Sequence, residues 1–131
     1  MKIKKIIIVD DDFEYTNEVS ELLSPKDFNV IIKNDTDDIL NFVKRNNPDL
    51  VILDLKINGL TGIDVAKMLQ KDIKTKGLPI MLLTNYYDDD NVYNKDNIKF
   101  GINICLKKSI RPETLIDEII KIGISGKTGK K

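Results

Sequence analysis

The chain has 131 residues, 41% apolar and 32% charged, enough for one soluble globular domain with a packed core. Lysine plus arginine (21) equals aspartate plus glutamate (21), so no net field recruits nucleic acid or an anionic membrane, and no apolar run could span a bilayer. There is no histidine and one cysteine, which excludes histidine triads, histidine zinc sites and an internal disulfide, and fits a reducing cytoplasm.

Ile6-Ile7-Ile8-Val9 predicts a strand over 5–9. Asp10, Asp11 and Asp12 interrupt it, which argues against a signal peptide. Tyr15, Val19, Leu22 and Leu23 then fall at i, i+4, i+7 and i+8, a first helix capped by Asp12 and stopped by Pro25. A second strand is expected over 29–33. Ile39, Leu40, Phe42 and Val43 mark a second helix, with Thr36 or Asp35 as its N-cap and Pro48 beyond its end. Residues 50–53 are uniformly apolar, the pattern of a strand buried on both faces, and Asp54 ends it. Gly59 and Gly62 follow in an expected loop, and Val65, Met68 and Leu69 mark a third helix.

A fourth strand is expected over 80–83, with Thr84 directly after it. Between residues 86 and 100 the pattern is weak, with Val92, Tyr93, Ile98 and Phe100 scattered among Asp, Asn and Lys. An irregular fourth helix or a partly mobile loop is expected there. A fifth strand over 102–106 precedes Leu115, Ile116, Ile119, Ile120 and Ile122, a fifth helix with Pro112 near its first turn. Residues 123–131 are Gly-rich and basic and read as a disordered tail, leaving a domain at 1–122 with no output module. The rhythm is (βα)5, an α/β fold with a doubly wound parallel five-stranded sheet. Right-handed crossovers favour the flavodoxin-like strand order 2-1-3-4-5.

In such sheets ligands collect at the carboxyl ends of the strands. Asp54 at that edge is a metal ligand, a nucleophile or a helix cap. Strands one and three are neighbours in this order, so Asp10 and Asp11 converge on Asp54. Three carboxylates this close repel one another unless a cation joins them, and a hard oxygen-seeking ion such as Mg²⁺ answers that need. Thr84 and Lys108 end the fourth and fifth strands at the same edge. Taken singly, a capping acid, a β-prone threonine and a surface lysine are ordinary. Together they supply metal ligands, a nucleophile, a hydroxyl donor and a cation, the groups that in-line phosphoryl transfer to Asp54 requires.

These residues make the chain resemble the receiver domain of two-component response regulators over nearly its whole length. The resemblance rests on Ile8-Val9-Asp10-Asp11-Asp12, Asp54 with Gly62, Pro79 to Thr84, and Gly101 with Lys108. It implies that Asp54 is the phosphoacceptor and that Asp10 and Asp11 hold Mg²⁺ with the backbone carbonyl of Lys56. It further implies that Thr84 is the switch hydroxyl and that Lys108 binds the phosphoryl group. The implied donor is a phosphohistidine on a histidine kinase or a histidine phosphotransfer protein. The implied output is contact with a downstream protein through the fourth helix, fifth strand and fifth helix, with homodimerisation left open and no direct contact with nucleic acid or membrane.

The sequence departs from the family pattern where the family reads out the phosphate. Asn58 and Ser109 replace usual prolines, Asn85 and the Tyr86-Tyr87 pair follow the threonine, and Cys105 stands at the aromatic switch position. Cys105 reads as a small buried core residue, and Tyr86 or Tyr87 as a substitute reporter. Lys56 is either a solvated loop lysine or a group leaning over the acyl phosphate. Two rival readings exist. Asp10-x-Asp12 with Thr84 and Lys108 imitates a haloacid-dehalogenase-like phosphatase, but Asp117 and Glu118 fall inside a helix and Asp54 would have no role. A receiver that binds partners without phosphorylation is the other. The expected function is a single-domain receiver, not a free-standing enzyme.

Overall fold

Runs of β-branched and aliphatic residues build the sheet of the computed structural model, which describes residues 2–85 and 101–125. The strands are β1 (Lys5–Val9), β2 (Asn29–Lys33), β3 (Leu50–Leu53), β4 (Ile80–Thr84) and β5 (Ile102–Lys107). All pair in parallel, in the order β2-β1-β3-β4-β5, as the sequence pattern predicts. The helices are α1 (Phe13–Leu23), α2 (Ile39–Asn46), α3 (Gly62–Lys71) and α4 (Pro112–Ser125), the last being the helix expected as the fifth. The irregular helix or loop expected at 86–100 and the tail residues 126–131 lie outside the described residues.

Alternation along the strands sorts the side chains into two cores. Ile7, Val9, Val51, Leu53 and Leu82 pack with Ile39 and Val43 of α2 and Val65 and Leu69 of α3. Ile6, Ile8, Leu50, Ile52 and Met81 pack on the other face with Val19 and Leu23 of α1 and Leu115 and Ile119 of α4. Burial on both faces explains why β1 and β3 read as unbroken apolar runs. It also leaves only the strand ends for polar chemistry.

Asp12 caps α1 as expected, accepting from the Tyr15 N–H at 3.0 Å. A 3-10 turn at Ser24–Lys26 carries the chain through Pro25. The expected cap of α2 is corrected. Asp38 occupies that position in the left-handed region (φ 53°) with no side-chain cap bond. Asp35 instead accepts from the Asp37 N–H, and the Thr36 hydroxyl donates to the Asn58 carbonyl. Both side chains are thus committed elsewhere. The expected loop after Asp54 contains a two-stranded antiparallel hairpin, Lys56–Ile57 with Leu60–Thr61, turning at Asn58-Gly59. Gly59 takes φ 91° there, which glycine adopts without strain. Thr61 and Asp64 then form a reciprocal capping box on α3. Among the described residues no peptide bond is cis, so Lys108–Ser109 is trans.

Candidate functional site at the carboxyl edge of the sheet

The parallel ladder runs one residue past the strands and fixes the acids. The Asp10 N–H donates to the Lys33 carbonyl at 3.1 Å, and the Asp54 N–H to the Val9 carbonyl at 3.2 Å. Asp10 and Asp54 are buried (2% and 4% exposed), while Asp11 is half-buried. One carboxylate oxygen from each of Asp10, Asp11 and Asp54 lies within 4.8 Å of the others. From the far side, Lys108 Nζ approaches Asp10 Oδ2 at 2.7 Å and Asp54 Oδ2 at 3.3 Å. Its ammonium also stands 4.6 Å from the centroid of the Tyr15 ring. The Lys108 N–H donates to the Thr84 carbonyl at 3.1 Å, which joins the ends of β4 and β5.

Burial pushes the Asp10 carboxyl above its ordinary range, opposed by the Lys108 hydrogen bond and the Asp12 N–H, while the Asp54 charge raises it further. Burial acts to lower the Lys108 ammonium, but the bond to Asp10 and the charges of Asp10 and Asp54 outweigh it, and the net shift is upward. Lysine therefore stays a cation in this setting. The Tyr15 phenol is driven upward by burial and by the Asp10 and Asp54 carboxylates, so it stays neutral.

Gly62 packs its backbone on the Asp54 carbonyl, and any Cβ there would collide with that carbonyl and crowd Leu82. Its N–H donates to the Leu55 carbonyl at 2.8 Å. The Leu55 N–H in turn donates to Asp54 Oδ1 at 2.7 Å, which fixes the carboxylate and leaves Oδ2 toward Lys108. A cleft of about 610 Å³ opens over the acids, lined by Asp11, Asp54, Lys56, Asn58, Asn85 and Lys108 among others. Lys56 is exposed, and Thr84 is fully buried at the end of β4. Cys105 is buried in the core shared with α2 and α3, and burial pushes its thiol up to about 12. The expected reporters Tyr86 and Tyr87 lie outside the described residues.

Three contributors have little or no signal in the sequence. Asn34, after β2, donates from Nδ2 to the Asp10 carbonyl at 2.8 Å and to Thr16 Oγ1 at 3.3 Å. Tyr15 is legible only as an apolar helix position, and Asn58 only as a departure from proline. The one signal for Asn34 is a polar side chain directly following an apolar strand.

The donor set suits a hard divalent cation. Three carboxylates offer oxygen ligands, and Lys108 offsets one of their charges, so a divalent ion supplies the remainder. Asp10, Asp11 and Asp54 would hold such an ion, and Mg²⁺, which takes oxygen ligands from carboxylates, would suit them.

Residues 6–120 match the family model of the response regulator receiver domain. The chain belongs to this family. This receiver domain is 30% identical over 116 residues to the DNA-binding response regulator MtrA of Mycolicibacterium paratuberculosis, a match covering 88% of this chain and 49% of MtrA. It thus spans about half the length of MtrA. It is 27% identical to protein PilH of Pseudomonas aeruginosa, covering 88% of this chain and 93% of PilH. Among solved structures, the BeF3-activated N-terminal receiver domain of Klebsiella pneumoniae RstA superposes with a TM-score of 0.79 at 28% identity, covering 88% of this chain and 95% of that one. Receiver domains are signalling modules rather than free-standing enzymes, which sets the phosphatase reading aside. No described helix is long and apolar enough to cross a membrane.

Proposed function

We propose that this receiver domain accepts a phosphoryl group on Asp54 and passes the signal on by protein contact. The observation that carries the reading is the Lys108 ammonium held between Asp10 and Asp54 at the mouth of an acidic cleft. An anion arriving beside Asp54 would meet that cation at once. The donor is a phosphohistidine of a histidine kinase or phosphotransfer protein, in keeping with a chain that has no histidine. An Asp54 oxygen forms the new bond to phosphorus as the phosphorus–nitrogen bond breaks, and the electron pair returns to the imidazole.

Asp10, Asp11, Asp54 and the Lys56 carbonyl would hold Mg²⁺, which when bound supplies positive charge to the phosphoryl oxygens. Leu55 fixes the rotation of the nucleophile through its N–H, Lys108 neutralises negative charge, and Thr84 supplies the hydroxyl that reports the new group. The setting is cytoplasmic and the downstream partner is a protein. The test is the NMR spectrum of the protein with Mg²⁺ before and after beryllofluoride, which mimics a phosphoryl group on a carboxylate. Shifts centred on Asp54, Thr84 and Lys108 that vanish in Asp54→Asn are expected. An unchanged parent spectrum would contradict the reading and favour a module that binds partners without phosphorylation.

A further inference from the structure

Asp10 and Asp54 are each pinned by a backbone N–H and by Lys108. Asp11, the half-buried member, is held differently. Among the described residues its hydrogen-bond donor is the Asn58 N–H, 3.3 Å from Asp11 Oδ2. Asn58 sits at the turn of the hairpin, and its own carbonyl accepts from the Thr36 hydroxyl at 3.2 Å. A chain of two bonds therefore runs from the loop before α2, through the hairpin tip, to the most exposed of the three acids.

We propose that Asn58 is a positioning residue for the metal centre: its backbone N–H, anchored by the Thr36 hydroxyl, presets the Asp11 carboxylate toward Asp10 and Asp54 and so raises the affinity for Mg²⁺. The proposal rests on the reading of the acidic cluster as the Mg²⁺ site. An unrestrained exposed carboxylate must surrender rotamer freedom when it ligates, and a donor already holding it reduces that loss. The donor is a main-chain group, so the side chain at 58 matters only through whether it leaves the N–H in place. Proline, which has none, abolishes the brace, whereas alanine keeps it. Thr36 acts at one remove, by steadying the carbonyl of the same residue.

The experiment is a titration of the full chain with Mg²⁺ alone, followed by amide NMR shifts, on the parent and on Asn58→Ala, Asn58→Pro, Thr36→Ser and Thr36→Val. Asn58→Pro and Thr36→Val are expected to weaken Mg²⁺ binding by about three- to tenfold, less than a short bond to a buried ligand would give. Asn58→Ala and Thr36→Ser are expected to bind as the parent does. Parent-like or tighter binding in both Asn58→Pro and Thr36→Val overturns the brace while leaving the metal site standing. A parent that shows no response to Mg²⁺ overturns the metal site and the brace together. If Asn58→Pro does not fold, Thr36→Val against Thr36→Ser decides the matter, since both leave the residues of the turn and the acids in place and only valine removes the hydroxyl bond to the Asn58 carbonyl.

Discussion

Lys108 reaches Asp10 at 2.7 Å although β3 and β4 stand between their two strands in the sheet. The long lysine stem crosses the strand ends to make the contact, and its side chain is only 8% exposed there. Removing one partner of a buried ion pair leaves an uncompensated charge. Lys108→Met should therefore cost about 3 kcal/mol in the metal-free protein. Urea unfolding with and without Mg²⁺ checks this, and added Mg²⁺ should recover part of the loss.

Gly62→Ala should be far worse than its small volume suggests, because the new Cβ meets the Asp54 carbonyl, which cannot swing aside. A loss of about 2–3 kcal/mol is expected, in the upper range for overpacking. Gly77→Ala is the matched control, since nothing lies within 4 Å of its added Cβ. Equal melting temperatures for the two variants would count against this account of the loop.

Asn34→Ala removes donors to the Asp10 carbonyl and to Thr16 Oγ1. A loss of about 1–2 kcal/mol in chemical denaturation is expected for these part-buried groups. Asn34→Asp should be worse still, because it sets a carboxylate against two acceptors beside an acidic cluster.

How far the sequence announces this structure depends on burial. β1 and β3 are legible because strands covered on both faces cannot alternate, and an unbroken run such as Leu50-Val51-Ile52-Leu53, cut off by a charged residue, is too short for a helix. Asp12 is legible because a cap is a local signal. The hairpin at Lys56–Thr61 escapes notice because two-residue strands carry no periodicity, although Asn58-Gly59 is its turn signal. The start of α2 misleads because Thr36 competes between capping a helix and bonding Asn58, a choice made by tertiary contact. The acids and Lys108 can be assigned to one edge from strand order alone. Their pairing distances, and the part played by Asn34, exist only in three dimensions.

Cys105 gives a pH dependence with a definite sign. Burial raises the thiol from 9.0 to about 12, so the native state keeps its proton while the unfolded chain ionises. Its effect on stability is absent below about pH 9 and unfavourable as pH rises from there toward 12. The slope in that window is about 1.4 kcal/mol per pH unit. Stability curves of the parent and Cys105→Ala between those limits should diverge by that slope. Parallel curves would mean that the thiol is not sequestered in the native core.

The most direct measurement is the intact mass of the protein after incubation with a small phosphodonor and Mg²⁺, followed by peptide mapping. One phosphoryl group per chain on Asp54, absent in Asp54→Asn and lost in alkaline hydroxylamine as an acyl phosphate must be, is the predicted result. An unmodified chain, or a phosphoryl group stable to hydroxylamine at another residue, would contradict the assignment of Asp54 as the acceptor.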